Sequence, residues 1–482
     1  MNSFQNPIYQ ILHPESIAVF GASNNVTSMG TQLLLNIIDL GFRGTIYPIH
    51  PKQKKVLGIP AYPSVKKIPF GADLALIVVS REKVPKVLEE CGQRGIRRAI
   101  IVSGGFRELG DYGRDLEREI NSIAKKYKIR FIGPNCIGVI NTHHYLNTTF
   151  FPYRGKTGFL GIISQSGSFI TQIFDYIGRL GMGFSQGISV GNEANIDLVD
   201  CIEYLGDCKD TKVIALYIEE IKRGREFLRV CKKVSSKKPI VAYYVGGSEA
   251  GKKACLSHTG SLSGSDAIYN GVFKQSGVIR VYSIEELFDC CASLGTQPLL
   301  RGKKLAILST SGGPGAATAD SCSRLNLHVP ELSTRTKNAL RPFVPRTASM
   351  ANPVDLTFIK EVSSFFRDIP QILLEDEDID GLLIYFLRPK GGLSEFIENT
   401  GNNATTNELE GAEDIREHCR DLAILARSSG KPALGSMFSG REEPIVEELQ
   451  DNGLPVFPSP ERSARAMWAL CEYARMRGES YD

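Results

Sequence analysis

Short β-rich apolar runs alternate with longer helical patterns along this chain, a rhythm that confines it to an α/β fold built on parallel sheets. Residues 16–22 (SIAVFGA), 45–49 (TIYPI), 73–79 (DLALIVV), 98–103 (RRAIIVS) and 129–133 (IRFIG) read as buried parallel strands. Helical stretches over 84–94 and 111–127 lie between them, giving one βαβ domain. The polar segment 141–158 reads as a linker. A second set of strands follows at 160–164, 187–190, 213–218, 240–245 and 278–281. A third begins after the basic, proline-containing stretch around 297–304, with strands at 305–309, 381–386, 433–437 and 454–457. The polar region 388–412 reads as an exposed insertion. At 482 residues the chain exceeds one ordinary core, and the expected domains are 1–146, 147–297 and 298–482.

Composition narrows the function classes. Apolar residues make up 42% and charged residues 23%, as in ordinary globular protein. The formal charge of +4 is a small surplus that gives no nucleic-acid or membrane-surface signal. The N-terminus MNSFQNPIYQILHPES lacks the basic and apolar regions of a secretory signal, and no run approaches the about 18 apolar residues of a membrane span. The 11 cysteines are scattered without a CxxC pair, as expected of buried thiols in a reducing cytoplasm. No disulfide framework and no metal site are expected on this chain.

The 47 glycines cluster after apolar runs, where turns that meet phosphates occur. The first such turn, Gly21-Ala22-Ser23-Asn24, follows strand SIAVF and precedes a helical pattern from about Gly30. Backbone N–H groups there face an anion, although any doubly wound fold also needs a tight turn at this place. NAD fits poorly. GxGxxG is incomplete, and the second strand runs into Pro48-Ile49-His50-Pro51-Lys52 instead of an Asp or Glu for the ribose diol. A basic end suits a ribose bearing a phosphate, as in coenzyme A or NADP, while a solvated surface lysine accounts for Lys52 equally well. The second turn, Ser164-Gln165-Ser166-Gly167-Ser168, offers hydroxyls and backbone donors for a phosphoryl group, or ordinary helix caps. A third turn, Ser311-Gly312-Gly313-Pro314-Gly315, is also explained by simple strand–helix punctuation.

His258 sits among Ser257, Thr259, Gly260, Ser261, Ser263 and Gly264, small and hydroxylated neighbours that suit a loop accepting a tetrahedral group. A candidate helix follows at Asp266, and the carboxylates Glu219 and Glu220 end strand VIALYI. A nucleophilic imidazole needs its second nitrogen held and its developing charge compensated, which a carboxylate does. The residues alone do not choose between Glu219 and Glu220.

These segments resemble a known family. GPNCIGVINT at 133–142, ISQSGS at 163–168, SHTGSLSGSDAIYNGVFKQSGVIRV at 257–281, SGGPG at 311–315 and ANPVDL at 351–356 look like the α side of ADP-forming acetyl-CoA synthetase, in the succinyl-CoA synthetase superfamily. The resemblance covers roughly 10–475. It implies a CoA-binding Rossmann-like domain followed by two flavodoxin-like domains, the first bearing a phosphohistidine at His258 supported by Glu219. It implies phosphate binding at Ser164, Ser166, Gly167 and Ser168. It implies CoA binding at Gly21, Ala22, Ser23, Asn24, Lys52, Val79, Ser80, Asn135 and Cys136. The implied activity is acyl-CoA + ADP or GDP + inorganic phosphate ⇌ carboxylic acid + CoA + ATP or GTP. No segment reads as an ATP-grasp, so the resemblance implies a separate β subunit of that fold, carrying the nucleotide with Mg2+, in a cytoplasmic α2β2 assembly. A non-catalytic CoA-binding regulator with the same fold is the alternative, and an NADP oxidoreductase lacks any hydride-transfer motif.

Overall fold

The computed structural model describes residues 5–253, 264–345, 348–357, 363–387 and 406–481, with backbone alone over 406–414. The chain forms two compact units. One runs through Gly178 and takes up Gly183–Val281; the other holds Arg179–Met182 and the chain from Tyr282 onward.

The first unit opens with a parallel sheet of β1 (Ser16–Phe20), β2 (Thr45–Ile49), β3 (Leu74–Ile77), β4 (Arg98–Ile101) and β5 (Arg130–Ile132), in the order β2-β1-β3-β4-β5. Each strand is apolar because helices cover both faces, and β3 is buried along its whole length. The helices at Val84–Arg94 and Asp111–Tyr127 coincide with the helical patterns read from sequence. Gly95, left-handed at φ 92°, ends the first of them by donating to the last-turn carbonyls.

A second sheet combines β6 (Val139–Asn141), β7 (Leu146–Asn147), β8 (Leu160–Ser164), β9 (Phe184–Ser189), β10 (Val213–Ile218), β11 (Ile240–Tyr244) and β12 (Val278–Val281), ordered β12-β11-β10-β8-β9-β6-β7. Strands β8 to β12 are parallel, while β6 and β7 add an antiparallel edge. This edge corrects the expected linker at 141–158. Asn141, Thr142, Asn147, Thr148 and Thr149 are all buried. Their polar groups meet partners from other elements of the unit. Asn141 Nδ2 donates to Leu12 O at 3.0 Å and Thr142 Oγ1 to Phe184 O at 2.6 Å. Thr149 O accepts from Asn36 Nδ2 at 2.7 Å. The chain thus enters the second sheet at Val139, before the expected boundary at 146. One continuous apolar core, including Val19 and Leu76 from the first sheet and Ile163 and Leu216 from the second, joins the two sheets.

In the second unit β13 (Leu305–Ser309), β14 (Val354–Asp355), β15 (Gly381–Tyr385), β16 (Ala433–Ser436) and β17 (Val456–Phe457) are parallel, ordered β14-β13-β15-β16-β17. The edge strand β14 falls in ANPVDL, where no strand was expected. The helix Ile284–Thr296, which the boundary at 297 assigns to the middle domain, belongs to this unit. It packs on the helix Pro460–Arg477, where Arg462 grips the buried Asp289 through two 2.7 Å hydrogen bonds. Of the polar region 388–412, residues 388–405 lie outside the described residues, and its end enters the helix Thr406–Ser429.

All three sheets repeat one strand order around their first parallel strand, which is β1, β8 and β13 in turn. In each, the second strand goes to one side and the third to the other, so a topological switch point opens beside the first strand's carboxyl end. Ligands of open α/β sheets bind in that crevice.

Candidate functional site

In the first sheet the switch point lies between β1 and β3. Gly21 leaves β1 at φ +99°, and a Cβ there would stand 2.0 Å from Val78 O. The helix Met29–Asp39 begins just as tightly, since a Cβ on Gly30 would lie 2.4 Å from Gly21 O. Two glycines therefore let strand end, turn and helix start close on one another, in a cradle whose own backbone any larger residue would strike. Thr31 Oγ1 fixes the turn by accepting from Ser23 N (3.0 Å) and donating to Ser23 O (2.9 Å).

The other residues expected at this site occupy different positions. Asn24 braces the hairpin Lys55–Val56/Ile59–Pro60, accepting from Leu57 N at 2.9 Å and donating to Lys55 O at 3.0 Å. Lys52 is exposed beyond β2. Val79 is half-buried and Ser80 exposed after β3, and Val79 O accepts from Ser103 Oγ at 2.6 Å. Asn135, left-handed at φ 57°, follows β5 and donates to Asn192 Oδ1 at 3.3 Å. The Cys136 thiol turns into the core, 3.4 Å from Ile101 O, and burial pushes its pKa up to about 12. It offers the cleft no thiol. The turn, Val79–Ser80 and Asn135 thus converge on the carboxyl ends of β1, β3 and β5.

In the second sheet the switch point lies between β8 and β10, and it gathers the second turn and the strand-end carboxylates. Ser164 is buried, and its hydroxyl closes on the turn, donating to Ser166 O (2.7 Å) and accepting from Ser166 N (3.1 Å). The side chains that open outward are Ser166, half-buried, and Ser168, exposed, with Gly167 between them. The third turn repeats this staple, with Ser309 Oγ donating to Ser311 O and accepting from Ser311 N.

Glu219 is buried and Glu220 half-buried at the end of β10. The buried Gln165 ties them to the turn, with Oε1 accepting from Glu219 N at 2.6 Å and Glu220 N at 2.9 Å. Gln165 Nε2 donates to Glu220 O (2.7 Å) and to the buried Glu193 (3.0 Å). Glu193 in turn accepts from Leu198 N at 2.8 Å and faces Lys222 Nζ at 3.6 Å. Burial pushes the Glu193 carboxyl up and the Lys222 ammonium down, each partly restored by the other's charge. Sequence reading placed Gln165 in the second turn without a role of its own and missed Glu193 and Lys222. For Glu193 the polar run GNEAN after a buried strand was the available signal.

His258 lies outside the described residues. The segments flanking 254–263 are described. Upstream, β11 runs parallel beside β10. Downstream, Tyr244 OH donates to Gly264 O at 3.3 Å, and Tyr269 of the helix Asp266–Ser276 stacks on Tyr244 with ring centroids 3.8 Å apart. Tyr269 OH also accepts from Ile221 N at 3.0 Å, two residues beyond Glu219. Both flanks are therefore anchored where Glu219 ends its strand.

Residues 15–142 match the CoA binding domain model, and residues 157–294 match the succinyl-CoA ligase like flavodoxin domain. The α subunit of acetate–CoA ligase [ADP-forming] II from Pyrococcus furiosus is 39% identical over 97% of this chain and 98% of its own length. The chain belongs to the ADP-forming acetate–CoA ligase family. Acetate–CoA ligase [ADP-forming] I of Archaeoglobus fulgidus is 37% identical, and the match spans 97% of this chain but 64% of that protein. The structure of a dinucleotide-forming acetyl-coenzyme A synthetase 1 from Ca. Korarchaeum cryptofilum, in complex with phosphate and ADP, superposes with a TM-score of 0.87. It is 32% identical, and 98% of each chain is covered. The expected fold, the acid–thiol ligase class and CoA binding are thereby borne out, and the non-catalytic alternative is not favoured. Among the described residues no helix is long and apolar enough to cross a membrane.

Proposed function

We propose that this chain is the CoA-binding, phosphohistidine-carrying subunit of an NDP-forming acyl-CoA synthetase, with His258 as the nucleophile. The observation that carries the reading is the second switch point. There Ser166–Ser168, Glu219 and both flanks of the segment holding His258 meet at the carboxyl ends of β8, β10 and β11. Inorganic phosphate attacks the thioester carbonyl, the C–S bond breaks, and CoA leaves as its thiol. An imidazole nitrogen of His258 then attacks phosphorus of the acyl phosphate, and the carboxylate leaves. The phosphohistidine passes the group to ADP or GDP. Glu219, the buried carboxylate of the two, holds the ring and offsets the positive charge on phosphohistidine formation. Backbone N–H groups of the turn and the hydroxyls of Ser166 and Ser168 stabilise the phosphoryl oxygens, while Ser164 shapes the turn.

CoA is assigned to the first switch point. Gly21 and Gly30 bring the turn close against the helix start, where backbone N–H groups would hold a pyrophosphate, and the exposed Lys52, next to Gln53 whose Oε1 accepts from Asn24 N, is assigned the 3′-phosphate. Of the expected contacts, Asn24 acts through the hairpin and Cys136 through its backbone. The nucleotide, and the Mg2+ that would neutralise its phosphates, are assigned to a partner β subunit of ATP-grasp fold in an α2β2 assembly. The α-subunit name and matching length of the Pyrococcus relative support a partner. The free thiols suit a cytoplasmic protein.

The test is turnover of an acyl-CoA panel with ADP or GDP and phosphate. The chain with its co-expressed partner should form NTP, and the chain alone should bind CoA without forming NTP. NTP formation by the chain alone, with mass spectrometry showing no partner, would refute the division of labour.

A further inference from the structure

We propose that Gln165 is the positioning residue for Glu219, making the phosphoryl-binding turn and the carboxylate one rigid body. The ladder between β8 and β10 reaches its last pair at Ser164 and Tyr217. Beyond it the two chains part, as they must at a switch point, β10 continuing for one residue beside β11 only, and strand pairing no longer fixes their separation. Gln165 bridges the gap. Its backbone N–H still reaches Tyr217 O at 3.2 Å. Its side-chain amide then acts as a further rung, accepting from the N–H groups of Glu219 and Glu220 and donating to Glu220 O. These bonds set the peptide planes on both sides of the Glu219 Cα, and so the direction in which its side chain leaves.

The chemistry of the position calls for an amide. One end must accept two N–H groups, and the other must donate to a carbonyl and a carboxylate. A carboxylate here would face Glu193 with like charge, and an ammonium would leave both N–H groups without an acceptor. Glu193, an acceptor held by Leu198 N and Lys222, allows only one orientation of the amide. A phosphoryl group bound by the turn therefore stays in register with the carboxylate that supports the imidazole.

This assignment rests on Glu219 being the supporting carboxylate, and the experiment separates the two claims. The chain with its partner is phosphorylated by MgATP, and the rate of acid-labile phosphate formation is followed for Gln165→Met, Glu219→Gln and the double variant. Methionine keeps length and apolar volume while removing all four side-chain hydrogen bonds. Gln165→Met should slow phosphorylation and kcat by about 10- to 100-fold, with KM and calorimetric affinity for CoA unchanged. In the Glu219→Gln background the same change should cost less than about 3-fold, because the carboxylate it aims is gone. Should Gln165→Met fail to fold, Glu193→Gln, which frees the amide to turn over, should show a smaller loss that again vanishes beside Glu219→Gln. Full multiplication of the two losses, or an unchanged rate in Gln165→Met, would overturn the positioning role. An unchanged rate in Glu219→Gln alone would overturn the role of Glu219, and the assignment with it.

Discussion

Gly30→Ala tests the cradle of the first switch point with one methyl group. An alanine Cβ would stand 2.4 Å from Gly21 O, 2.5 Å from Gly21 C and 2.9 Å from Ala22 N. All three are backbone atoms and cannot rotate away. Ordinary contact begins near 3.4 Å, so turn and helix start must part by about 1 Å. Helix propensity favours alanine by about 1 kcal/mol, and overpacking costs about 1–3 kcal/mol. The net loss of stability should therefore be small, about 1 kcal/mol. The functional loss should be larger, because a misplacement of about 1 Å can cost on the order of 100-fold where ligand contacts are pre-formed. Calorimetry should show CoA affinity falling by about that factor, or about 2.7 kcal/mol. Phosphorylation by MgATP with the partner present should keep its wild-type rate, since Ser166, Ser168 and Glu219, to which it is assigned, follow strands of the second sheet. Unchanged CoA affinity alongside a lowered Tm would show that the cradle is structural and CoA binds elsewhere.

Two further outcomes follow from the charged and titratable groups. Lys52→Glu should weaken CoA more than dephospho-CoA, because only CoA carries the 3′-phosphate; equal losses by calorimetry would remove Lys52 from the site. His13 should make folding acid-sensitive. Its ring stacks on Tyr9 and its Nδ1 lies 3.0 Å from Tyr9 O, while Nε2 lies 3.1 Å from Asn141 Nδ2. Asn141 Oδ1 is taken by His143 N, so its NH2 faces His13 and Nε2 must accept. Burial lowers the His13 pKa from its ordinary value near 6.5, the Tyr9 carbonyl opposes it, His144 and His143 lower it further, and Asp210 raises it. Below about 6.5 the unfolded chain binds a proton that the folded chain refuses, so the stability His13 contributes is present above that pH and falls away below it. Between pH 7.5 and 5.5 the wild-type Tm should drop more than that of His13→Asn, and parallel drops would contradict the assignment.

Where burial and polarity agree, the sequence was readable. Runs such as LALI and VIALYI are buried on both faces, and each formed the strand its apolar continuity implied. The glycine turns were visible because strand, turn and helix follow one another directly. Polarity misled at 141–158, where Asn141, Asn147 and Thr149 look like loop residues but are buried, Asn141 against Leu12 O and Thr149 O against the Asn36 side chain, distant partners that no local pattern reveals. The strands there are too short for a period of two to show. The helix Ile284–Thr296 was misplaced because its partner Arg462 is 173 residues away along the chain. At the site, Ser164 and Cys136 carry suggestive chemistry, yet one closes on its own turn and the other enters the core. Gln165 carries little intrinsic reactivity. The role proposed for it comes from the two strand ends that it joins, which only the sheet order makes neighbours.

The most direct test of the whole account is phosphorylation of the chain itself. With MgATP and the partner subunit, wild-type protein should acquire one acid-labile, base-stable phosphate, the pattern of phosphohistidine and not of phosphoserine at Ser257 or Ser261. His258→Ala should lose both the label and all turnover, while its CoA affinity stays at the wild-type value because CoA is assigned to the first sheet. Acid-labile phosphate on His258→Ala would contradict the account at its centre.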